Sequence, residues 1–439
     1  MEMPGGSLNQ TENNMVPPAD LSVIIVSYNV KYFLAMCLAS VRKAGRNLNC
    51  EIFVVDNNSS DGSCEMIQRD FPGVKLISNR ENRGFSAANN QAIKEAGGKY
   101  ILLLNPDTIV EEDTFTRCIR FMDEHPDAGA AGVMMINGHG KYLPESKRAI
   151  PLPETAFWKM SGLYRLFPAS PRINRYYLGH LNKLDINRIE VIAGAFMFLR
   201  SKAVSETGLL DEDFFMYGED IDFSYRLLGK GYENYYFPDV RIIHFKGEST
   251  KKEEMDFVIR FYDAMLIFVR KHFSSTTLRK MILPVSTAIR LRAAASVIHR
   301  WFRRMLDPLT GRITRVIGPG RNSPAEGIKT AVLSGADMLE KINYLLAVTG
   351  AKADVVISTD KYMTDPGGSI QEIIQRTAES IVSKKVRQVI FSPANMEFSS
   401  IIDCMQHLSQ HRIRFRIASP DGKYLIGSGS AVSADGRGS

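Results

Sequence analysis

The sequence predicts an α/β protein built on a doubly wound, mostly parallel sheet, followed by a second, smaller α/β domain. Its N-terminal part contains short apolar runs without polar alternation, which is typical of strands buried on both faces of a parallel sheet. Apolar residues at helical spacing separate these runs, and the resulting β-α-β-α-β-α-β order implies right-handed crossovers. The same kind of pattern returns after a stretch rich in Gly and Pro at residues 312–322.

The predicted strands of the first sheet are stopped by turn-forming or polar residues. The first four are residues 21–26, 51–55, 74–77 and 100–104. The predicted helices between them are residues 33–41, a segment that begins near Ser63, and residues 85–96. A buried strand at 191–199, a helix whose first turn carries Glu219, an apolar strand that ends at His244 and a helix at 255–273 complete this domain.

Two strands end in a lone acid, Asp56 and Asp107. Pro106 cannot continue a strand ladder, so Asp107 stands just beyond the carboxyl end of its strand. Ligands of open α/β sheets bind at that edge, so both acids can line one crevice. A carboxylate there suggests a hard cation that holds a diphosphate. The alternative is that Asp107 or Thr108 only caps a helix that follows.

Composition excludes several classes of protein. At 439 residues, with 44% hydrophobic and 23% charged residues, the chain is an ordinary globular protein of two or three domains. Five scattered cysteines without CxxC or zinc spacing predict a reducing compartment. We expect neither a signal peptide nor a spanning helix, since no apolar run reaches about 20 residues. The absence of G-x-G-x-x-G after the first strand and of a P-loop argues against dehydrogenases and P-loop enzymes.

The net charge of +7 is concentrated in one segment. Residues 270–321 carry twelve Lys and Arg and a single acid, Asp307, so the rest of the chain offers no excess positive field and nucleic-acid binding is disfavoured. Clustered arginines and apolar residues at 281–305 predict an interfacial helix on an anionic membrane surface. The alternative for that helix is a core position with a solvated basic side.

Four motifs in order resemble the nucleotide-sugar half of family-2 glycosyltransferases with the GT-A fold, and above all their rhamnosyltransferase-like branch. They are SVIIVSYN at 22–29, VVDNNSSDG at 54–62, NRGFSAANN at 82–90 and LLNPDT at 103–108. The resemblance covers about residues 21–273. It implies that the chain binds a nucleotide-sugar donor through residues of these motifs and Gly194. Those residues are Ser27, Tyr28, Asn29, Asp56, Asn58, Arg83, Gly84, Asn105, Asp107 and Gly194.

The resemblance also implies a metal site. Asp56 would contact the base or ribose, and Asp107 would hold Mg²⁺ or Mn²⁺ on the diphosphate. The family commonly has D-x-D there, whereas this chain has Asn105 in the first position, which leaves one carboxylate at the metal. His244 would approach the metal or the diphosphate and partly replace the absent acid. A purely structural His244 is the alternative.

Glu219 and Asp220 lie in the first turn of a predicted helix, where capping alone could explain both acids. The resemblance implies instead that Asp220 is the general base and that Glu219 helps to arrange the acceptor. One base without an enzyme nucleophile implies a single in-line displacement that inverts the anomeric configuration.

The stretch from 138 to 188 offers basic and aromatic side chains to a phosphate-bearing or saccharide acceptor, and an irregular surface insertion is the alternative. These side chains are Lys147, Arg148, Trp158, Tyr164, Arg165, Arg172, Arg175, Tyr176 and Tyr177.

The C-terminal part predicts strands at 329–334, 353–358, 388–391 and 412–417, with helices ending at Leu346, at 369–381 and at 399–408. It resembles the Rossmann-like domain appended to some bacterial sugar transferases, for which we expect a regulatory or partner-binding role. The predicted divisions are a disordered tail at 1–19, the GT-A domain at 20–273, the basic helix and linker at 274–321, the Rossmann-like domain at 322–430 and a tail at 431–439.

The sequence therefore favours an inverting glycosyltransferase that acts at the cytoplasmic face of the membrane on a surface-polysaccharide or lipid-linked acceptor, with a donor such as dTDP-rhamnose or a UDP-sugar. A sugar-phosphate nucleotidyltransferase is disfavoured because residues 26–29 lack a Gly-rich signature with a Lys or Arg. A non-catalytic sensor or scaffold is disfavoured by the intact set of Asp56, Asp107, Asp220 and His244.

Overall fold

The computed structural model describes residues 19–245, 254–273, 328–359 and 370–433, except residues 153, 156, 157, 160, 161, 349 and 429. The predicted tail at 1–19 lies almost wholly outside this part of the chain. The predicted basic helix at 281–305 and the linker at 312–322 lie outside it as well.

The first sheet is mixed but mostly parallel, and its strands run in the order β3-β2-β1-β4-β8-β6-β9-β5, with β7 on the side of β9. The strands are β1 Leu21–Ser27, β2 Cys50–Asp56, β3 Lys75–Ser78, β4 Tyr100–Leu104, β5 Thr108–Val110, β6 Ala128–Ile136, β7 Asn187–Ile189, β8 Phe196–Arg200 and β9 Glu233–His244. Strands β3, β2, β1 and β4 are mutually parallel, and β8 is antiparallel to β4. The predicted mostly parallel sheet is confirmed.

Helices cover both faces of this sheet, as the unbroken apolar runs predict. They are α1 Lys31–Ala44, α2 Ser63–Asp70, α3 Phe85–Ile93, α4 Thr114–Glu124, α5 Ser201–Thr207, α6 Glu219–Gly229 and α7 Glu254–His272. On one face Val23 and Leu102 pack with residues of α1, α2 and α4; on the other face Ile24 and Leu103 pack with residues of α3, α5 and α6. The alternation of neighbouring residues between two apolar layers is what a strand buried on both sides requires.

Two local predictions differ from the structure. No helix starts at Val110, because Thr108–Val110 is strand β5 and pairs with the end of β9, so the capping role for Asp107 is wrong. The predicted strand at 191–199 is shorter, since β8 begins only at Phe196. Before it the chain turns, with the amide of Phe196 donating to the carbonyl of Ala193 (3.1 Å) and the carbonyl of Ala195 accepting from the amide of Asn105 (3.0 Å).

The second sheet has the order β11-β10-β12-β13-β14-β15, parallel from β11 to β13 and antiparallel beyond. Its strands are β10 Thr330–Ser334, β11 Val355–Ser358, β12 Gln388–Phe391, β13 Arg414–Ala418, β14 Tyr424–Gly427 and β15 Ser430–Ser433. Its helices are α8 Ala336–Val348, α9 Ile370–Ser383 and α10 Phe398–Leu408. We call residues 328–433 the C-terminal unit. The predicted second, smaller α/β sheet is confirmed.

Within the described ranges, no helix has both the length and the apolar character needed to cross a bilayer. The cysteines are free, and Cys37, Cys118 and Cys404 are buried.

Candidate donor-binding and catalytic site

The site is built at one edge of the first sheet, where neighbouring strands end. In register, Ser27 at the end of β1 lies beside Asp56 at the end of β2. The end of β4 lies beside β1 on one side and beside the start of the antiparallel β8 on the other, where Leu104 pairs with Phe196. The topology therefore collects the loops that follow β1, β2 and β4 and the loop that precedes β8 at the same edge.

Asp56 is almost fully buried, yet one of its carboxylate oxygens has no partner. Its Oδ2 accepts the amide of Ser59 at 2.8 Å, while Oδ1 meets no hydrogen-bond donor among the described residues. The hydroxyl of neighbouring Ser27 is also buried without a partner. Because buried polar atoms are normally hydrogen-bonded, this pair fits residues that meet a ligand.

The loops after β1 and β2 hold each other in conformations suited to a ligand-binding edge. Asn29 and Asn58 both have positive φ, 53° and 68°. The amide of Asn29 donates to the hydroxyl of Ser59 (2.9 Å), and its side-chain Oδ1 accepts the amide of Ser60 (2.8 Å). Tyr28, between these loops, remains 40% exposed, so its ring is free to meet a nucleotide.

The loop that contains Arg83 and Gly84 contacts the loop after β2 and the loop that leads into α6. Gly84 has φ of +81°, and a Cβ there would lie 2.6 Å from the carbonyl oxygen of Phe215. Its own carbonyl accepts the side-chain amide of Asn57 at 3.0 Å. Only glycine fits this contact, which joins the loop after β3 to the loop that leads into α6. Arg83 is exposed beside it.

The predicted metal residues Asp107 and His244 lie side by side. Thr108 pairs in register with His244, and the His244 Nε2 to Asp107 Oδ1 distance is 3.4 Å. Both residues are buried, and the Nδ1 atom of His244 has no partner in the described part of the chain. Asp107 Oδ1 and the Nε2 atom of His244 that faces it fit a divalent cation as two ligands.

The described residues contain no group of three His, Cys, Asp or Glu side chains arranged to hold a metal ion. A cation at Asp107 and His244 would thus take its remaining ligands from substrate oxygens and water, as Mg²⁺ commonly does at phosphate sites.

A short segment before β8 joins Asn105 to Asp220. The carbonyl of Ala195 accepts the amide of Asn105 at 3.0 Å, and the amide of Gly194 donates to Asp220 Oδ2 at 3.2 Å. A Cβ on Gly194 would be 3.5 Å from that of Asp220, an ordinary contact, so glycine is not required here for space. The structure places the N–H of Gly194 on Asp220, the predicted general base, while the contact of Gly194 with the donor stays a prediction.

Asp220 is held by a buried guanidinium. Its Oδ2 accepts from an Nη atom of Arg148 at 2.5 Å, and the same nitrogen donates to the carbonyl of Ile192 at 3.1 Å. Burial opposes the charge on Arg148, but the adjacent carboxylate outweighs it and raises the Arg148 pKa above its ordinary value. The Arg148–Asp220 pair fixes the carboxylate at the start of α6.

Glu219 lies next to Asp220 but in a different environment. It is buried, and its Oε2 atom has no hydrogen-bond partner among the residues described. Burial first, and then the neighbouring charge of Asp220, raise the pKa of Glu219 above its ordinary value. The two acids are therefore differentiated: one is anchored by an ion pair, and the other favours its protonated form.

The raised pKa of Glu219 predicts a pH-dependent effect of Glu219→Gln on stability. The Glu219 carboxyl binds its proton more tightly in the native state than in the unfolded chain. Its contribution to the free energy of unfolding is therefore complete below the unfolded pKa of about 4.3 and is lost as the pH rises through the native pKa. Gln has no proton to lose. The variant should therefore gain melting temperature relative to wild type at about pH 8, and the gain should shrink toward about pH 5.

Thermal unfolding at both pH values, with the exposed Glu95→Gln as the matched control, measures this. A difference between Glu219→Gln and wild type that does not change with pH would contradict the assignment.

Several side chains that the sequence predicts to bind an acceptor instead make contacts within the protein. Arg148 is paired with Asp220, and buried Lys147 donates to the carbonyls of Leu178 and Leu181. Tyr176 is buried, and Arg172 and Arg175 form ion pairs with Glu154 and Glu190. Sequence reasoning missed the anchoring role of Arg148, since nothing in the pattern links it to an acid 72 positions away.

The chain matches known sugar-transferring proteins. Residues 22–207 match the family model Glycosyl transferase family 2, and residues 174–306 match Glycosyl transferase family group 2.

The chain is 24% identical over 306 residues to an N-acetylglucosaminyl-diphospho-decaprenol L-rhamnosyltransferase of Mycobacterium tuberculosis (strain ATCC 25618 / H37Rv), covering 66% of this chain and 98% of that protein. It is 28% identical over 193 residues to a poly-beta-1,6-N-acetyl-D-glucosamine synthase of Staphylococcus aureus (strain COL), covering 43% of this chain and 41% of that protein. Among solved structures, the mannosyltransferase PcManGT of Pyrobaculum calidifontis in complex with GDP-Man and Mn2+ is similar with a TM-score of 0.41 and 16% identity, over 66% of this chain and 81% of that chain.

Proposed function

Because residues 22–207 match the family model Glycosyl transferase family 2, we propose that this protein is an inverting, metal-dependent glycosyltransferase. It moves a sugar from a nucleotide-diphosphate sugar to a hydroxyl of a cell-surface polysaccharide or lipid-linked saccharide. The observation that carries the proposal is the hydrogen-bonded path from Asn105 through Ala195 and Gly194 to Asp220. This path ties the anchored acid to the same strand end that presents Asp107.

The nucleotide would bind at the ends of β1 and β2. The unpartnered Oδ1 of Asp56 would accept a hydrogen bond from the base or ribose, and the exposed ring of Tyr28 would cover it. A divalent cation, Mg²⁺ or Mn²⁺, held by Asp107 and His244 would supply Lewis-acid stabilisation of the departing diphosphate.

Asp220 would take the proton of the attacking hydroxyl. Arg148 and the amide of Gly194 both bind its Oδ2 atom, which fixes the orientation of the carboxylate. Glu219, which favours its protonated form, would donate a hydrogen bond to the acceptor or the sugar. With one positioned base and no enzyme nucleophile in the proposal, the displacement is single and the anomeric configuration inverts.

The donor and acceptor classes are proposed from the relatives. The mycobacterial relative is named as an N-acetylglucosaminyl-diphospho-decaprenol L-rhamnosyltransferase, which supports a rhamnosyl donor such as dTDP-rhamnose and a lipid-linked acceptor. A UDP-sugar is the alternative donor.

A thermal-shift panel of UDP-, GDP- and dTDP-sugars, each with and without Mg²⁺ or Mn²⁺, tests the proposal. We expect one nucleotide class to raise the melting temperature only with the cation, and Asp56→Asn to remove that rise. Asp61 should not serve as control, because its carboxylate accepts the amides of Lys31 and Ser63 and so holds the neighbouring loops. The exposed Asp113→Asn is a suitable control. No shift with any nucleotide-sugar would refute the proposal.

Features of the segment 150–177 favour the proposal that the acceptor is held at a membrane surface. The two ends of this segment lie close together next to Arg148, since the amide of Ala149 donates to the carbonyl of Tyr176 at 3.0 Å. Its tip exposes Leu166 (72%) and Phe167 (51%) next to a basic side chain, Arg165. Exposed apolar side chains beside basic ones suit the interface of an anionic membrane.

The double variant Leu166→Ser/Phe167→Ser should bind vesicles that contain anionic lipid at least about tenfold more weakly, because burial of each side chain contributes about 1.5–3 kcal/mol. Vesicle co-sedimentation of the full chain measures this. A matched pair of exposed apolar side chains on the C-terminal unit, Tyr344→Ser/Val348→Ser, should leave vesicle binding unchanged. Equal binding by both double variants and wild type would contradict the role of this tip.

A further inference from the structure

The short segment that starts at Asp107 takes part in two sites. At its beginning Asp107 faces His244, and its middle is the fully buried strand β5, Thr108–Val110. At its end Glu111 accepts a hydrogen bond from Arg241, and Glu112 accepts one from the first turn of helix α10 in the C-terminal unit. Six consecutive residues thus span the distance from the candidate metal site to the second sheet.

Arg241 joins the two sheets through an ion network. It lies on β9, three residues before His244, and donates to Glu111 Oε1 at 2.6 Å. The same guanidinium donates to Asp403 on α10 and, at 3.0 Å, to Gln406. The side chain of Glu111 is only 2% exposed and also accepts the amide of Arg241 at 3.0 Å. Loss of one member of a mostly buried network leaves a charge uncompensated, so such networks resist displacement.

Glu112 fixes the same helix from its other end. Its two carboxylate oxygens accept the amides of Phe398 (2.7 Å) and Ser399 (3.2 Å), the first residues of α10. A carboxylate at a helix N-terminus is favourable because it satisfies free amides and the helix dipole. The capping residue, Glu112, belongs to the domain of the first sheet, whereas α10 belongs to the C-terminal unit. This contact therefore fixes the position of the C-terminal unit on that domain.

The space between these polar contacts is filled by apolar side chains from both parts. Phe33, Ile109 and Phe245 belong to one buried cluster with Phe398 and Met405. Phe245 follows His244 directly, and its amide donates to the carbonyl of Asp107 at 3.0 Å. The docked surface therefore begins one residue away from the candidate metal ligands.

We propose that the C-terminal unit is a positioning element of the donor site. Through Arg241 and Glu112 it holds β5 and the end of β9 together, and thereby sets the separation of Asp107 and His244. Arg241 and Asp403 are positioning residues, because they act through these two side chains and do not touch the cation. The part of this inference that concerns the metal rests on the proposed function, whereas the mechanical part does not.

The test compares Asp403→Ala with wild type in the full-length chain. Hydrogen–deuterium exchange should become faster in peptides that cover residues 105–112 and 240–245, and stay unchanged in β1 and β2. Binding of Mn²⁺ alone, followed by electron paramagnetic resonance, should weaken by up to about tenfold, the lower end of the effect of losing a direct partner of a metal ligand, because Asp403 acts through Arg241. Asp403→Glu, which keeps the charge, should restore both properties, and Glu372→Gln, exposed on α9, is the matched control.

Unchanged exchange at 105–112 and 240–245 in Asp403→Ala would overturn the inference, whatever the metal result. Faster exchange with unchanged Mn²⁺ affinity would overturn its metal-positioning part. If wild type itself binds no Mn²⁺, the metal site of the proposed function fails, and the exchange data still decide whether the C-terminal unit holds the strand pair.

Discussion

Asp220→Asn is expected to abolish sugar transfer while leaving donor binding nearly intact. Asn has the same shape but cannot take the proton of an attacking hydroxyl, and loss of a general base typically lowers kcat by about 10²- to 10⁴-fold. The donor contacts proposed for Asp56 and Asp107 remain in place. Turnover with the donor selected by the thermal-shift panel and isothermal titration of that donor measure the two quantities separately.

The buried Arg148 makes a stability control necessary for this variant. Neutralising Asp220 leaves the guanidinium without its carboxylate, which can cost up to about 3–5 kcal/mol. Turnover should therefore be measured below the melting transition of the variant. Asp213→Asn, which removes a largely exposed acid from the preceding loop, should retain activity. Near-normal turnover of Asp220→Asn, together with loss of turnover in Glu219→Gln, would reassign the base to Glu219.

Asp107→Asn is expected to have its largest effect on metal-dependent donor binding. Asp107 is the sole carboxylate proposed for the cation, so its loss should weaken binding at least as much as the roughly 10- to 100-fold seen when an outer-shell partner is lost. The effect should be visible only with Mg²⁺ or Mn²⁺ present, because the nucleotide base would be bound elsewhere, at Asp56. Isothermal titration of the donor with and without the cation measures this.

The matched control is Asp113→Asn, since that acid is 58% exposed and lies six residues further along the same segment. It should bind the donor like wild type. Unchanged donor affinity in Asp107→Asn in the presence of the cation would refute the metal assignment, and an equal loss with and without cation would point to a fold defect.

Much of the first sheet can be predicted from sequence because its strands are buried on both faces. The prediction for residues 100–104 coincides with β4, Tyr100–Leu104, since an unbroken apolar run leaves no other placement. Strand β6, Ala128–Ile136, was not predicted, because its sequence AGAAGVMMI is rich in small residues that give a weak apolar signal. The hairpin β14–β15 was also missed: β14 is buried from Leu425 onward, and only β15 alternates between half-buried and buried residues.

The sequence predicted acids at strand and helix ends, but not what holds them. The contact of Arg148 with Asp220 depends on how the chain turns before β8, and local pattern contains no information about that turn. The contact of Glu112, which follows β5, with the first residue of α10 likewise joins residues that lie 286 positions apart in the sequence. Long-range polar contacts of this kind are set by the whole fold, whereas strand ends and helix starts are set locally.

The central claim is that Asp56, Asp107 and Asp220 act on one nucleotide-sugar in one crevice. Crystals of the full chain grown with Mn²⁺ and the nucleotide diphosphate selected by the panel test it most directly. We predict a manganese anomalous peak bonded to Asp107 and His244, a nucleoside against Asp56, and the diphosphate directed toward Asp220. A nucleotide or manganese ion located away from this sheet edge, or a wall of protein between the diphosphate and Asp220, would contradict the account.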